Sequence, residues 1–453
     1  MIMTGRLRSL LALGATLLVV TGGGMLLDIP SAEGSARLVS LTAMMAASGV
    51  AYFAAVHLVL TRSWPRRTMW LVLGVAIAGR AMLLLEPPAF SSDIYRYVWD
   101  GRVQAAGINP YRYIPADPAL ESLRDADVYP QINRANYART IYPPVAQIVF
   151  ALVGRIHDGV TSMRLAMVAF EVLAVICLLR LLPLAGLPPE RILIYAWNPL
   201  ALWSFASDGH VDAIAIGLLG VALFLRARRK DTWAGVALAG AVLAKFLPVV
   251  VAPAFVRGGR FWQPALAGVV LIVACYALYA GAGRHVLGFL PGYGQEEGLA
   301  DGTGIWLLAG LSLLVHLPRD AVPIYGACAA AGFTILSVAI MRRSAPDNDA
   351  RALCRDVGVL AAVATAAISP HYHWYFAWLA LPAVLAPSRS LVWLATAPLL
   401  LIEEPVPGDR FWWPSLIYIP AILLLAAEFR RGRTIERRHE AGNGEAKWTL
   451  QRF

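Results

Sequence analysis

Ser91-Ser92-Asp93-Ile94-Tyr95-Arg96-Tyr97-Val98-Trp99-Asp100-Gly101-Arg102 is charged and aromatic in a chain that is otherwise almost all apolar. It opens a polar loop that leaves an apolar run near Glu86 and rejoins apolar sequence near Ile141. A carboxylate just above a bilayer suits chemistry on a substrate with a polar head and a lipid tail.

The sequence on either side sets the class. Of 453 residues, 58% are hydrophobic and 15% charged, and mean hydropathy is +0.60. A soluble domain carries about 25% charged residues. Apolar runs long enough to cross a hydrocarbon layer of ~30 Å recur from end to end. The expected fold is all-α, a polytopic transmembrane helical bundle with a large first extracytoplasmic loop. The first run, flanked by Arg6 and Arg8, lacks a convincing small-residue cleavage site and reads as a retained helix. A net charge of +10 raises nucleic acid as a partner, but Lys and Arg cluster in short segments between apolar runs. That pattern is orientation signal and lipid-headgroup contact. Cys177, Cys275, Cys328 and Cys354 lie in or beside apolar runs without CxxC spacing, as small core residues do.

Basic residues mark one side of the membrane at Arg6/Arg8, Arg62 to Arg67, Arg180 to Arg191, Arg226 to Lys230, Arg257/Arg260, Arg342/Arg343, Arg389 and from Arg430 onward. The intervening segments are acidic or poor in Lys and Arg: Asp28 to Glu33, the long loop, Asp208 to Asp212, Gln295 to Asp301, His371 to Tyr375 and Glu403 to Asp409. About twelve crossings satisfy this, at 9–27, 38–60, 69–86, 162–180, 192–207, 210–226, 262–282, 320–341, 352–369, 373–387, 390–404 and 411–429, with both termini inside. Residues 141–156, 233–256 and 304–317 then have no place as full crossings. The run 233–256 is broken by Lys245-Phe246-Leu247-Pro248 and reads as re-entrant half-helices, tolerated where they pack in protein or line a cavity. All the distinctive polar residues fall on the extracytoplasmic side.

Asp93 and Asp100 share a helical face with Arg96 and Tyr97 between them, while Tyr95 and Trp99 face the other way, toward an interfacial belt. One Asp serves as general base or metal ligand, or both are solvated charges. Asn109-Pro110-Tyr111 and Tyr142-Pro143-Pro144 are rigid turns whose tyrosines stack on a sugar or anchor the chain at the interface. Asp208, His210 and Asp212 crowd a hairpin, lining a site or capping helices; neighbours in sequence rarely suffice for a metal, and none is expected. His371, His373 and Trp374 cluster where a span emerges, suited to a phosphate, a sugar or a prenyl chain, or to a plain aromatic belt. Arg80, inside a span, and Arg284 beside His285 are further anion candidates. Lys245 lines the break or snorkels. No Walker loop, dinucleotide fingerprint or HExxH motif occurs, which argues against nucleotide donors.

These segments resemble the GT-C superfamily of integral-membrane glycosyltransferases, and in particular the bacterial polyprenyl-phosphate-mannose-dependent mannosyltransferases. Asp93-Ile94-Tyr95 with Gly107-Ile108-Asn109-Pro110-Tyr111, Tyr142-Pro143-Pro144, Asp208-Gly209-His210-Val211-Asp212 and Lys245-Phe246-Leu247-Pro248 carry the resemblance, best over roughly 70–260. It implies a transmembrane glycosyltransferase domain over 1–435, with its catalytic loop at 87–140, and a polar cytoplasmic tail at 436–453. It also implies a plasma-membrane enzyme with an outward-facing site, a polyprenyl-phosphate sugar donor, a lipid or glycan acceptor, inversion at the anomeric carbon and no cofactor. By position Asp93 matches the catalytic acid; Ser92-Asp93 stands where several relatives pair two acidic residues. His371 or His373 matches the late His near donor phosphate, joined by Arg80 and Arg284; Tyr95, Tyr97, Asp100, Asn109, Tyr111, Tyr142, Asp208, His210, Asp212 and Trp374 are the expected substrate contacts. A flippase, ligase or polymerase of lipid-linked glycans is the main alternative. A secondary transporter is the other, but it would place ionisable groups at the midplane, often in repeated halves.

Overall fold

A computed structural model describes residues 5–26, 33–256, 262–318, 320–343, 349–403, 406 and 408–441. With no water in a bilayer to satisfy backbone groups, apolar runs close their own hydrogen bonds as helices; no strand occurs among the described residues. The chain begins with α1 (Gly5–Leu26), α2 (Gly34–Thr61) and α3 (Thr68–Leu84), then α4 (Asp93–Ala105) and α5 (Pro144–Ile156) on either side of the polar loop. Next come α6 (Val160–Leu184), the short α7 (Leu193–Ala196) and α8 (Pro199–Ala201), α9 (Asp212–Ala227), α10 (Asp231–Ala244), the short α11 (Ala252–Phe255) and α12 (Trp262–Ala277). The last third holds α13 (Leu290–Glu296), α14 (Trp306–Ser312), α15 (Ala321–Met341), α16 (Ala350–Ile368), the short α17 (Ala380–Ala383) and α18 (Arg389–Leu394), and α19 (Trp412–Ala441). The expected outer segment at 28–32, the basic residues 257–260 and the tail beyond 441 lie outside the described residues; α19 itself runs past residue 436.

Among the described residues five helices are long and apolar enough to cross a membrane: α1, α2, α6, α15 and the first part of α19. Two bent pairs raise that to seven if each is one span, Pro199–Ser207 with Asp212–Ala227 at 120° and Trp262–Ala277 with Ala280–Glu296 at 110°. The twelve expected crossings are therefore not twelve continuous helices. Residues 192–207, 373–387 and 390–403 are strings of short α, 3₁₀ and π pieces. Pro199, Pro382 and Pro398 remove backbone donors there. The helix α16 keeps its expected place but carries Arg351, Arg355 and Asp356 in its first turns. The break at Lys245 is real: its backbone is extended, and a 3₁₀ turn over Leu247–Val251 leads into α11.

The core is built by close approach rather than bulk. A Cβ on Gly14 would strike the Trp197 ring, and one on Gly217 would lie 2.7 Å from the Phe170 carbonyl oxygen. Helices α6, α9, α10 and α12 pack in succession, each on the next, as small residues allow where lipid supplies no hydrophobic drive. Beside them α4 lies along α5, so the apolar run at 141–156 becomes a partner of the loop helix. Trp99 is 1% exposed and packs on Tyr129, contrary to its expected place in an interfacial belt. Arg102 clasps the loop to the turn after α5 through Asp125 and Asp158, each 2.7 Å away. Partial burial works against charge on Asp125, but Arg102 and the N–H groups of Val128 and Tyr129 hold its carboxyl down at about 2. That clasp is complete above the ordinary carboxylate range and is lost as pH falls toward 2.

The α4–α5 contact is testable. A Cβ on Gly101 would sit 2.5 Å from the Phe150 carbonyl oxygen, and one on Gly154 2.9 Å from the Gly101 carbonyl carbon. Gly101→Ala is expected to cost at least the ~1–3 kcal/mol typical of overpacking. The matched control, Gly74→Ala on α3, adds a methyl that meets nothing. Thermal melting of the detergent-solubilised protein should fall for the first and not for the second.

Candidate active site

Asp93 is the first residue of α4, with its N–H on Ser91 Oγ. A carboxylate in the first turn of a helix is stabilised by the peptide dipoles. Its Oδ1 accepts a 2.8 Å bond from Asn133 of the polar loop, and its Oδ2 stands 3.9 Å from His210 Nδ1. The Asp93 side chain remains 21% exposed, so a buried cluster reaches solvent through it.

His210 arrives through a sharp reversal. A π-helical turn over Leu202–Ser207, capped by Asp208, is followed by Gly209, whose φ of +68° suits glycine. A Cβ there would also strike Ile94 and Arg164. The imidazole is fully buried and lies face-on to Trp374, centroids 3.8 Å apart. Tyr372 stacks on Trp374 at 4.6 Å, and His373 meets it edge-on at 5.0 Å. Asp212 opens α9 and binds Lys245 Nζ at 3.1 Å; that ammonium also lies 4.2 Å from the centre of the Tyr375 ring. Tyr375 and Tyr293 join hydroxyls at 2.9 Å, and the Arg134 guanidinium covers the Tyr293 ring while pairing with Glu296 at 2.6 Å. His371 Nε2 meets the Glu297 carbonyl oxygen at 3.2 Å, tying the segment before Trp374 to the end of α13.

Asp93, His210, Asp212, His373 and Trp374 are thus brought together, with His371 at the rim and Lys245 inside. The other expected site residues are engaged by different partners, although Tyr97 and Tyr142 lie close enough to Asp93 to feel its charge. Asp100 is buried against Arg96 at 2.8 Å and accepts from Gln147, within a network that runs through Gln104 to Tyr279. Tyr97 is buried, stacks on Phe150 and accepts from the Val211 N–H; Tyr142 abuts both rings. Tyr111 donates to the Tyr142 carbonyl, and Asn109 donates to that of Tyr279. Tyr95 is half-buried beside Arg164. Asp208 accepts the N–H groups of Ala89 and Phe90, so it does not converge with Asp212 and His210 on a common point. Arg284 is exposed on a 3₁₀ turn.

Arg80 requires a correction. It does not face an anion site: its guanidinium grips both oxygens of Glu171, at 2.6 and 3.1 Å, and donates to the Ala196 carbonyl, all buried. The partner lies on another helix, which spacing along the chain could not reveal. Asn133 and Arg134 were equally hidden, because they stand in a loop with no motif around them; the φ of +56° at Arg134 marks a turn held by its surroundings. Lys245 did leave a signal, a cation at a Pro-flanked break in an apolar run.

A family model described as alpha-(1->6)-mannopyranosyltransferase, N-terminal domain, matches residues 8–258, more than half the chain. The chain belongs to that family. Alpha-(1->6)-mannopyranosyltransferase A of Mycobacterium tuberculosis (strain ATCC 25618 / H37Rv) is 24% identical over 346 residues, 69% of this chain. The match takes in 64% of that relative, so the chain spans less than two thirds of its length. No solved structure matches. The family match contains Asp93, Asn133, Arg134, His210, Asp212 and Lys245.

A double replacement tests the structural role of Arg80. Arg80→Met alone strands Glu171 and is expected to cost about 3–5 kcal/mol, whereas Arg80→Met with Glu171→Leu should recover most of that loss. Thermal melting of the three proteins checks it.

Proposed function

We propose that this chain is an inverting mannosyltransferase that moves one mannose from a polyprenyl-phosphate donor to a lipid or glycan acceptor on the extracytoplasmic side of the plasma membrane. The observation that carries this reading is the partly exposed Asp93 carboxylate, held by Asn133 beside a wall of the buried His210 and Trp374 and the half-buried Tyr372. An aromatic wall beside a carboxylate accepts a sugar face, and family membership supplies the sugar class.

In this reading the acceptor hydroxyl gives its proton to Asp93 as its oxygen bonds to the anomeric carbon. The bond from that carbon to the phosphate oxygen breaks on the opposite face, and its electron pair leaves with polyprenyl phosphate. Attack opposite the leaving group inverts the centre. A phosphate leaves readily without an acid, so charge stabilisation suffices. Lys245 and Arg134 are the cations nearest the aromatic wall to serve, with Arg410 acting on Glu297 and His371 and His373 as further donors; Arg80 and Arg284 have no part. The basic segments between apolar helices support an orientation with Asp93 outside.

The purified protein, given a panel of polyprenyl-phosphate sugars with an acceptor lipid extract, should release polyprenyl phosphate from the mannosyl donor. Asp93→Asn keeps the size of the side chain and removes the base. Turnover is expected to fall by about 10²–10⁴-fold with melting unchanged. Turnover at the wild-type rate in that variant, or no release from any donor in the panel, overturns the assignment.

A further inference from the structure

We propose that His210 is a positioning residue for Asp93, with its Nδ1–H aiming the carboxylate at the acceptor; this rests on Asp93 being the base. The ring is fully buried, yet neither nitrogen has a hydrogen-bond partner among the described residues. Leaving a buried donor or acceptor unmade costs about 1–3 kcal/mol, so an imidazole kept in this state faces a group it engages during turnover. Among the described residues the carboxylate within reach is Asp93, its Oδ2 at 3.9 Å. That gap is about 1 Å longer than a hydrogen bond, and bonds of this kind often tighten only when substrate is bound.

Everything else about the ring is fixed. Trp374 stacks on one face, His373 approaches edge-on with centroids 6.3 Å away, and the hairpin backbone is held by the His210 N–H on the Ser204 carbonyl oxygen. The Lys245 ammonium stands nearby. A second positive charge beside it in a fully buried place would be costly, so the ring stands neutral with a single N–H. Placed on Nδ1, that proton points at Oδ2. Each carboxylate oxygen has two lone pairs, so one bond from Asn133 and one from His210 leave a lone pair on each for the incoming hydroxyl proton. Two fixed donors then set the carboxylate plane.

Two substitutions separate the N–H from the stack. His210→Phe keeps an aromatic face on Trp374 and has no donor; His210→Asn loses the ring but puts a side-chain N–H near the Nδ1 position. With polyprenyl-phosphate mannose and the acceptor extract, His210→Phe is expected to lower kcat about 10–10²-fold, the scale of a misaimed reacting group, with KM unchanged. His210→Asn should restore most of that loss. Wild-type kcat in His210→Phe, or His210→Asn as slow as His210→Phe at equal melting temperature, overturns the proposal. Should a variant fail to fold, ¹⁵N-histidine spectra of the wild-type protein decide, the ring being recognised by its upfield ring-current shift from Trp374. A proton on Nε2 overturns the proposal and one on Nδ1 upholds it. Asp93→Asn measured alongside keeps the two readings apart: turnover surviving there removes the base itself, whereas turnover surviving only in His210→Phe removes the positioning role.

Discussion

Asp208 and Arg164 form a complementary clamp on which the geometry around Asp93 depends. A helix that ends at bilayer depth leaves carbonyls without partners and the chain after it leaves N–H groups, and no water is there to take them. The Arg164 guanidinium donates to the carbonyls of Leu83, Glu86 and Ala206, which closes the end of α3 and the π turn before the hairpin. Asp208, just beyond that turn, accepts the N–H groups of Ala89 and Phe90. Together they bolt the stretch between α3 and α4 to the hairpin 208–212. Asp93 follows Phe90 by three residues and His210 follows Asp208 by two, so the clamp sets the distance between them.

Other buried charges fasten helices to one another. A charge near the bilayer centre costs about 2.5–3.5 kcal/mol on insertion scales, and a buried ion pair often gains nothing over an apolar pair of the same volume. Arg80–Glu171 therefore adds little net stability. What it adds is registry, because Arg80 also binds the Ala196 carbonyl and Tyr195 reaches Glu171 at 3.4 Å. Arg96–Asp100 acts similarly between α4 and α5 through Gln147 and the Ala138 carbonyl. One site carboxylate is left partly exposed on α4, and it is Asp93.

The legibility of the fold and site in the sequence follows the same physics. Apolar runs and basic flanks depend only on composition along the chain, and most of the expected segments coincide with helices, the others with strings of short helical turns. Continuity inside those segments depends on where broken backbone finds partners, such as Asn198 donating to the Ala395 carbonyl, and such partners are remote in sequence. At the site, Asp93, the hairpin, Lys245 and the cluster at 371–375 were readable because each is polar where the surroundings are not. Asn133 and Arg134 sit in a polar loop, where one more polar residue carries no contrast. Trp99 and Arg80 were misplaced because a residue's chemistry does not say which neighbour it meets.

The balance of charge in the cluster bears on which donor it can hold. Asp93, Asp212, Glu296 and Glu297 supply four carboxylates, against Lys245, Arg134 and Arg410, which acts on Glu297. Each cation already has an acidic neighbour, so the cleft is not a deep positive well. A diphosphate-linked donor would bring an extra negative charge into this partly buried place, and no further cation of the cluster among the described residues would meet it. A singly charged phosphodiester asks less, since one ammonium shared with Asp212 and the Tyr375 ring can answer it. On the proposed reading, the aromatic wall of Trp374 and Tyr372 would then hold the sugar by its face, where charge counts for little. In that reading, selection among donors would rest as much on the carboxylates that restrain the cations as on the cations themselves.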